Sequence, residues 1–467
     1  MRLSLEIFSR AYLVGIGGSG MSNLADLLHS MGCRIKGSDI IRTSITGKLE
    51  AKGIPITYMQ DGEFVDSDSS IVIVTAAVGA DHPEVNKARI LNIPVIKYSR
   101  AIGFLMRFKL GIAIAGTHGK TSTTTLLSEI FHNADDKPSF LIGGTSKNLG
   151  VGGSWGFGRH FIVEACEYDR SFLEFNPHII GITNIEEDHL DYYLDLHEIE
   201  DAFHEFSLKA PESGTIFLNA DNKSCSNIRR FQKARIFTFS IENDADFKAI
   251  ITRKIKGSYA FRIKTDEFTT DEIIPAMPGL HNVYNSTLAA AIAMESSINF
   301  DVIKMTIEQF QGSKRRFDFL GTYQNAEIYD DYAHHPTELR ALIESAKARF
   351  EDKTLSIVFQ PHQAFRTKTF LNKFAEELAN ADKIILTSIF AAREEKDCEN
   401  LSLMHQLRDK IQSQNPNVTL IEDPSDVLDY LRKNLTKNEV LFTVGAGNVY
   451  LIGEKLVLFE NSQNQAA

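Results

Sequence analysis

The chain has 467 residues, of which 43% are hydrophobic and 24% are charged, a composition typical of globular domains rather than of disordered or membrane proteins. Its formal charge of −11 argues against broad nucleic-acid binding and favours small anionic substrates held in local basic pockets. The N-terminus lacks a signal-peptide layout, and no apolar run is long enough to span a bilayer. The cysteines form no C-x-x-C pair, which predicts a reducing, cytoplasmic location without disulfides; they are Cys33, Cys166, Cys225 and Cys398.

A strand followed by a glycine-rich turn begins the N-terminal third. The predicted strand, Ala11 to Ile16, ends in a G-x-G-x-x-G from Gly15 to Gly20, and a helix follows. A second strand then leads to Asp39. This is the dinucleotide-binding layout, in which glycines admit a pyrophosphate and an acid holds a ribose hydroxyl. From these residues alone the site suggests NAD, with a tight turn that binds nothing as the alternative.

The first domain is predicted to end near residue 108. A third strand, Ile71 to Val74, runs into Thr75, and Tyr98 to Lys109 has a helical apolar pattern that leads to the next strand.

The central third opens with a partial P-loop. The apolar strand Ile112 to Ala115 breaks into Gly116-Thr117-His118-Gly119, and Lys120-Thr121 open a helix. Glycines let backbone N–H groups cradle phosphates, a lysine reaches the outer phosphates, and a threonine hydroxyl takes Mg²⁺. The full motif has glycine where Ile114 stands, and an ordinary glycine turn is the alternative. The pattern nevertheless predicts binding of ATP or GTP.

Acidic and basic side chains follow the next two predicted strands. Phe161 to Val163 ends in Glu164, and Ile179 to Ile182 is followed by His189. Because parallel strands deliver such residues to one sheet edge, Glu164 is expected to hold Mg²⁺ as a Walker-B acid does. His189 is either a metal or phosphate ligand or a histidine of the core.

Three further segments complete the central third. The glycine-rich stretch from Gly143 to Gly158 is predicted to be a mobile loop. Residues 235 to 275 are predicted to form a β excursion. The motif from His281 to Asn285 offers amides that pair with an adenine edge or cap the loop.

The C-terminal third, from about residue 319, alternates strands with helices. A basic cluster, Lys314 to Phe317, precedes it, and predicted strands end in Asp330 to Pro336 and in Gln360 to Arg366. Two acids, two histidines and a proline within seven residues are hard to explain by packing. Leu456 to Phe459 is predicted to close the domain, and the polar tail from Glu460 is predicted to fray.

Together these motifs resemble those of the Mur ligases of peptidoglycan synthesis. The resemblance covers nearly the whole chain in order, through G-I-G-G-S-G-M-S, G-T-H-G-K-T, E-A-C-E-Y-D-R-S-F, T-N-I-E-E-D-H-L-D, H-N-V-Y-N, K-R-R-F, D-D-Y-A-H-H-P-T-E and F-Q-P-H. It implies an α/β fold of three domains. These are a Rossmann-like UDP-substrate domain (1–108), a P-loop-type ATP-binding domain (109–318) and a Rossmann-like amino-acid-binding domain (319–467).

The resemblance also implies roles for individual residues. A UDP-sugar, not NAD, would occupy the pocket shaped by Gly17, Gly18, Gly20, Ser38, Asp39 and Thr75. The ATP phosphates would lie on Gly116, Thr117, His118, Gly119, Lys120, Thr121 and Ser122. The adenine would contact His281, Asn282 and Asn285, with Arg316 on a phosphate and Asp331 near the ribose. Thr121 and Glu164 would hold a first Mg²⁺ and His189 a second. Tyr332, His334 and Arg366 would line the amino-acid site, and Lys120, His189, His334 and Arg366 would be catalytic.

The implied activity is ATP-dependent joining of L-alanine to the lactyl carboxylate of UDP-N-acetylmuramate. Phosphoryl transfer would give an acyl phosphate, which the amine of alanine attacks. A sister activity, recycling of a murein tripeptide onto the same sugar, is the first alternative. An NAD-dependent oxidoreductase and a non-catalytic nucleotide-binding regulator are the others. The sequence leaves the oligomeric state open between monomer and homodimer.

The chain departs from the family pattern at two positions. Cys166 stands where the family usually has aspartate, which makes the surroundings of Glu164 less negative. Gln363 stands where many members have arginine, which weakens the expectation of a two-arginine clamp on the amino-acid carboxylate. The segment after Asp191 also lacks the lysine that some sister ligases carry in carbamylated form.

Overall fold

The computed structural model describes residues 4–229, 232–391 and 399–466, and Cys398 lies outside these ranges. Within them the chain forms three sheets of five, nine and six strands, each flanked by helices. The predicted three-domain α/β fold is confirmed.

The first sheet is parallel, in the order β3-β2-β1-β4-β5. Its strands are β1 (Arg10–Val14), β2 (Arg34–Ser38), β3 (Ile56–Thr57), β4 (Ile71–Val74) and β5 (Val95–Lys97). The helices are α1 (Ser19–Ser30), α2 (Ser44–Ala51), α3 (Pro83–Ile90) and α4 (Tyr98–Met106), preceded by a 3-10 helix, Leu5–Phe8. The inner strands β1 and β4 are apolar runs because both of their faces are covered.

The second sheet has the order β14-β13-β12-β11-β10-β6-β9-β7-β8. Its strands are β6 (Leu110–Ala115), β7 (Ser139–Leu141), β8 (Gly153–Ser154), β9 (His160–Glu164), β10 (Ile179–Ile182), β11 (Thr215–Asn219), β12 (Arg235–Ser240), β13 (Phe247–Ile255) and β14 (Ser258–Lys264). The helices are α5 (Lys120–Asn133), α6 (Leu196–Ser207), α7 (Lys223–Asn227), α8 (Leu280–Glu295) and α9 (Phe300–Gln309), with a 3-10 helix at Tyr168–Glu174. The strands predicted for residues 235 to 275 are thus β12, β13 and β14, which extend this sheet.

The third sheet has the order β15-β16-β20-β17-β18-β19, parallel except for the β15–β16 hairpin. Its strands are β15 (Asp318–Tyr323), β16 (Ala326–Asp331), β17 (Thr354–Phe359), β18 (Lys383–Leu386), β19 (Val418–Leu420) and β20 (Glu439–Val444). The helices are α10 (Pro336–Arg349), α11 (Ala364–Thr369), α12 (Leu371–Leu378), α13 (Glu399–Gln412), α14 (Pro424–Asn434) and α15 (Tyr450–Ala466).

The end of the chain differs from the prediction. The apolar segment Leu456 to Phe459 and the tail to Ala466 belong to one helix, α15, and the tail is not frayed at the backbone. Ile452 and Leu456 are both buried, one helical turn apart, and this spacing carries the helix past the apolar segment.

The glycine-rich segment from Gly143 to Gly158, for which the sequence predicted a mobile loop, is packed against the first domain. The Asn23 amide on α1 donates to the carbonyls of Ile142 at 2.7 Å and Gly144 at 2.9 Å. A Cβ on Gly153 would lie 2.0 Å from the backbone oxygen of Asn23. The small residues therefore mark a close approach of two backbones, which a larger side chain would prevent.

Burial disfavours the charged form of Glu129, which contacts this segment through Ser146. Glu129 on α5 is 2% exposed and accepts a hydrogen bond from the Ser146 hydroxyl at 2.6 Å. Burial raises the pKa of Glu129 from 4.5 to about 7, even though the Ser146 hydrogen bond acts the other way. Because the folded pKa exceeds the unfolded one, Glu129 costs stability increasingly as the pH rises from about 4.5 to above 7.

We therefore expect Glu129→Gln to raise the free energy of unfolding at pH 8 by on the order of 2 kcal/mol and to change it little at pH 4. Urea unfolding followed by circular dichroism at both pH values measures this difference. Glu212→Gln, at an exposed loop position, is the matched control and should show no pH-dependent gain. A gain for Glu129→Gln that is equal at pH 4 and pH 8 would contradict the assignment.

Candidate active site

The turn between β6 and α5 is built by two glycines with left-handed backbone. Gly116 has φ 138° and Gly119 has φ 81°. A Cβ on Gly119 would lie 2.5 Å from Asn285 Oδ1, so only glycine permits both the turn and the approach of α8. The free N–H groups at the start of α5 and the helix dipole make this turn suited to an anion.

The Lys120 ammonium is paired with the carboxylate of Glu167, a contact that the sequence did not predict. The ammonium donates to both Glu167 carboxylate oxygens, at 3.0 and 2.8 Å, and to the Thr117 carbonyl at 3.0 Å. Burial opposes the charge on Lys120, but Glu167 outweighs it and raises the pKa of Lys120. His189 Nε2 lies 3.7 Å from the same carboxylate. Glu167 therefore holds the side chains of Lys120 and His189 together at the P-loop.

Thr121 and Glu164, the two predicted ligands of a magnesium ion, lie next to consecutive glycines, Gly144 and Gly143. The Gly143 N–H donates to Glu164 Oε2 at 2.8 Å, and a Cβ on Gly144 would lie 3.4 Å from the Thr121 side chain. The two residues supply a carboxylate and a hydroxyl oxygen, which are ligands that Mg²⁺ prefers. The ring of His189, the predicted ligand of a second ion, packs against Tyr168 with the ring centroids 5.0 Å apart.

A cavity of about 360 Å³ opens beside the turn. Predicted site residues among its lining are His118, Gly119, Thr121, Ser122, His281, Asn282, Asn285, Arg316 and Asp331. Sequence reasoning missed other lining residues, including Glu186, Asn219, Asp221, Phe239, Tyr284 and Glu338. Asn219 ends β11 and Phe239 lies near the end of β12, so the rule that parallel strands end at one edge could have identified both.

The H-N-V-Y-N motif fixes the start of α8. The Asn282 amide donates to the Pro278 carbonyl at 2.6 Å, and Thr123 on α5 donates to Asn285 Oδ1 at 3.2 Å. Burial, together with the charge of Arg316, lowers the pKa of His281 to about 4, so a neutral imidazole lines the cavity. The two asparagines thus have structural partners of their own, and His281, which also lines the cavity, places Nε2 3.1 Å from the Asn282 side-chain nitrogen.

Glu338 contacts three nitrogen-bearing side chains at the junction of the central and C-terminal domains. Its carboxylate lies 3.4 Å from His118 Nδ1, 3.5 Å from Arg316 Nη1 and 3.3 Å from His334 Nδ1. Burial opposes its charge, but these neighbours hold the pKa of Glu338 well below its usual range. Burial lowers the pKa of His118, but the carboxylates of Glu338, Glu186 and Asp188 outweigh it and raise that pKa.

Arg366 makes a buried pair with Asp188, to which the sequence assigned no role. The guanidinium donates to Asp188 Oδ1 from Nε at 3.2 Å and from Nη2 at 2.9 Å, and Nη1 lies 3.2 Å from His362 Nδ1. His334 lies next to this group, with its ring centroid 5.9 Å from that of His362 and 5.3 Å from that of Tyr332. The predicted acceptor residues are therefore brought together, and Asp188 joins them from the central domain.

Two arginines precede β15, and two aspartates end β16. Arg315 and Asp330 pair with each other, whereas Arg316 and Asp331 line the cavity. Arg315 pairs with Asp330 at 2.9 Å and donates to the Gly445 carbonyl, which makes it structural. Arg316 lines the cavity. Asp331 also lines it, but its carboxylate accepts the Phe317 and Ala333 N–H groups.

The N-terminal glycine motif lies at the carboxyl edge of the first sheet. The Gly17 N–H donates to Asp39 Oδ2 at 2.8 Å. Cβ atoms on Gly15 and Gly20 would lie 2.9 Å from Thr75 and 3.0 Å from Tyr98, respectively. Gly18 precedes α1 as its N-cap. These contacts keep the turn tight and open to solvent.

Ser38 lies beneath this turn and not in it. It is fully buried and donates to Glu84 Oε2 at 2.6 Å, while Tyr12 donates to the other oxygen of Glu84 at 2.5 Å. Ser38 therefore supports the predicted pocket through a buried network and has no free hydroxyl for a ligand.

Among the described residues, none of the helices is at once long and apolar enough to cross a membrane.

Comparisons with known proteins cover the whole architecture. Residues 10–110 match the family model described as Mur ligase family, catalytic domain; 114–293 match the Mur ligase middle domain; and 315–447 match the Mur ligase, glutamate ligase domain.

Curated relatives at full length are named UDP-N-acetylmuramate–L-alanine ligase. One from Caldanaerobacter subterraneus is 36% identical over 98% of this chain and 99% of its own. One from a Geobacter species is 38% identical over 96% of this chain and 97% of its own.

Solved structures agree in fold. The UDP-N-acetylmuramate–alanine ligase of Thermotoga maritima is 26% identical, with a TM-score of 0.83 over 97% of this chain and 99% of that one. A murein peptide ligase of Psychrobacter arcticus, at 23% identity and TM-score 0.72 over 96% of this chain and 98% of that one, shares the fold. The chain belongs to the Mur ligase family.

Proposed function

We propose that the protein is an ATP-dependent ligase that joins L-alanine to the lactyl carboxylate of UDP-N-acetylmuramate. The observation that carries this proposal is the full-length similarity, at 36% and 38% identity, to curated ligases with that name. The phosphate-binding turn and its lysine supply the matching chemistry.

A carboxylate is a poor acyl donor because its oxygen leaves badly. Transfer of the γ-phosphoryl group of ATP to that oxygen would give an acyl phosphate, and the uncharged amine of alanine would then displace phosphate. Lys120, pre-placed by Glu167 at 2.8 Å, would stabilise the charge that develops on the transferred phosphoryl group. Burial of the site between the central and C-terminal domains would keep water from the acyl phosphate.

Magnesium would neutralise phosphate charge in this site. Thr121 and Glu164 would hold one ion, and His189 would ligate a second after leaving Glu167. Arg316 would contact a phosphate, and His281, Asn282 and Asn285 would lie at the adenine. Asp331, already saturated by two backbone N–H groups, would shape the ribose end of the cavity.

The two outer domains would supply the substrates. The turn containing Gly17, Gly18 and Gly20, with Asp39 and Thr75, would receive the UDP-sugar. Tyr332, His334 and Arg366 would receive alanine, with the guanidinium facing its carboxylate.

Of the alternatives, the murein tripeptide acceptor gains no support from the murein peptide ligase structures, because at 23% identity they show the fold alone. The NAD-dependent oxidoreductase has no support among the relatives, and it leaves the phosphate turn at Gly116 to Thr121 unexplained.

The acceptor is tested by phosphate release and product mass with UDP-N-acetylmuramate, ATP and one of L-alanine, glycine, L-serine or a murein tripeptide. We expect L-alanine to give the highest kcat/KM. Glycine and L-serine should react more weakly, because one methyl or hydroxyl group is worth only ~1 to 3 kcal/mol. Preference for the tripeptide would reassign the acceptor within the family, and no ATP-dependent product at all would refute the ligase proposal.

Lys120→Ala tests whether the central domain serves ATP while the first domain binds the UDP-sugar. We expect it to abolish ligation but to leave UDP-sugar affinity near that of the wild type, because Lys120 lies in the central domain and the glycine turn in the first. Ligation is measured by phosphate release and affinity by titration calorimetry. Lys209→Ala, at an exposed position after α6, is the control and should behave as wild type. Equal loss of sugar affinity in a folded Lys120→Ala protein would contradict the assignment.

The Arg366–Asp188 pair gives a test of the acceptor site. Arg366→Ala should raise the KM for L-alanine by the equivalent of ~2 to 5 kcal/mol, because it removes the positive charge and leaves Asp188 buried alone. Asp188→Asn keeps the cation, so it should raise that KM much less. Initial rates against L-alanine at saturating ATP compare the two. If both variants raise the KM equally, the guanidinium acts only through Asp188 and does not touch the acceptor.

A further inference from the structure

Two buried imidazole nitrogens at the junction of the central and C-terminal domains have no hydrogen-bond partner among the described residues. They are Nε2 of His118, in the P-loop, and Nε2 of His335, which is 4% exposed at the N-cap of α10. The two rings face one another with centroids 4.8 Å apart. A buried polar nitrogen without a partner costs free energy, so its retention points to a ligand.

A carboxylate completes the group. Glu186, which follows β10, places Oε2 3.7 Å from His118 Nε2. One donor atom from each of His118, Glu186 and His335 lies within 4.8 Å of the other two. Two imidazoles and one carboxylate are a common protein ligand set for zinc, with water in the fourth position.

The surroundings orient two of the three ligands, His118 and Glu186, as a metal site requires. Glu338 faces Nδ1 of His118 at 3.4 Å, which leaves the lone pair of Nε2 toward the group. Thr337 donates to Glu186 Oε2 at 3.0 Å and fixes that carboxylate. His335 accepts the Thr337 N–H on Nδ1 at 3.3 Å, so binding through Nε2 moves its ring proton to Nδ1 and gives up this long cap bond.

We infer that His118, Glu186 and His335 form a binding site for a transition-metal ion of the Zn²⁺ type. Tetrahedral zinc places its ligand atoms about 3.4 Å apart, so the side chains close in by roughly 1 Å. The site joins the P-loop to α10, and it is separate from Thr121, Glu164 and His189. Because His118 and Glu186 line the nucleotide cavity, an ion here opposes nucleotide binding.

The test is zinc titration of the full chain, freed of metal and without nucleotide, against a chromophoric indicator. We expect one zinc ion per chain. His335→Asn keeps an N-cap side chain, and Glu186→Gln keeps an acceptor for Thr337, so both should fold while binding zinc at least ~10-fold more weakly. Glu338→Gln, which loosens His118 without removing a ligand, should weaken binding by ~10-fold or more.

Two control variants separate this site from others. His197→Gln removes a histidine whose side chain is 80% exposed, and Cys166→Ser removes the thiol nearest the P-loop acids. Both should bind zinc as the wild type does. X-ray absorption of the zinc-loaded protein should show nitrogen and oxygen at ~2.0 to 2.1 Å and no sulfur at ~2.3 Å. Unweakened binding in His335→Asn, loss of binding in Cys166→Ser, or a sulfur ligand would overturn the proposal. Because no nucleotide or sugar is present, these outcomes do not depend on the ligase activity.

Discussion

Buried charge at the junction of the central and C-terminal domains is the constraint on which the site depends. A buried ion is costly unless it is paired, and removing one member of a pair leaves the other unsatisfied. Glu338 is paired with His118, Arg316 and His334, which come from the P-loop, the segment before β15 and the turn after β16. The position of the C-terminal domain is therefore set by the same carboxylate that places three groups of the cavity.

The first domain is attached by a different kind of contact. Its apolar core is continuous with one face of the central sheet, so Leu13 and Leu24 belong to the same cluster as Ala113 and Val163. On the surface of that core, Ser19 on α1 donates to the Gly143 carbonyl at 2.7 Å. Since Gly143 also donates to Glu164, the placement of the acid at the end of β9 is coupled to the first domain through one residue.

Much of this could be predicted from sequence because it rests on local patterns. Apolar runs gave β4 and β10 at their observed bounds, and glycines before Lys120 marked the phosphate turn. The family resemblance assigned Arg316 and His281 to the nucleotide, and both residues line the same cavity.

What could not be predicted depends on contacts between distant segments. Asp188 and Arg366 are 178 positions apart, and Lys120 and Glu167 are 47 apart, so no local pattern signals either pair. The glycines from Gly143 to Gly158 were misread for the same reason. Their lack of side chains indicates a loop when α1 is not known to lie against them. The helix α15 was missed because the apolar segment Leu456 to Phe459 was considered without Ile452, which lies one helical turn earlier and is also buried.

The lysine and the two arginines proposed to bind ligands are each paired with a carboxylate of the protein. Lys120 is engaged by Glu167, Arg316 by Glu338 and Arg366 by Asp188, so each cation proposed to meet an anionic ligand already has a carboxylate of the protein. A bare cluster of buried cations would repel itself and lose hydration without compensation. The carboxylates remove that cost in the free protein, and they also mean that a phosphate or a substrate carboxylate must replace an existing partner. Binding is then an exchange of one anion for another, which favours ligands with more negative charge and better-directed oxygens than a single side chain. This preference is the one that a site for nucleotide phosphates and an amino-acid carboxylate requires.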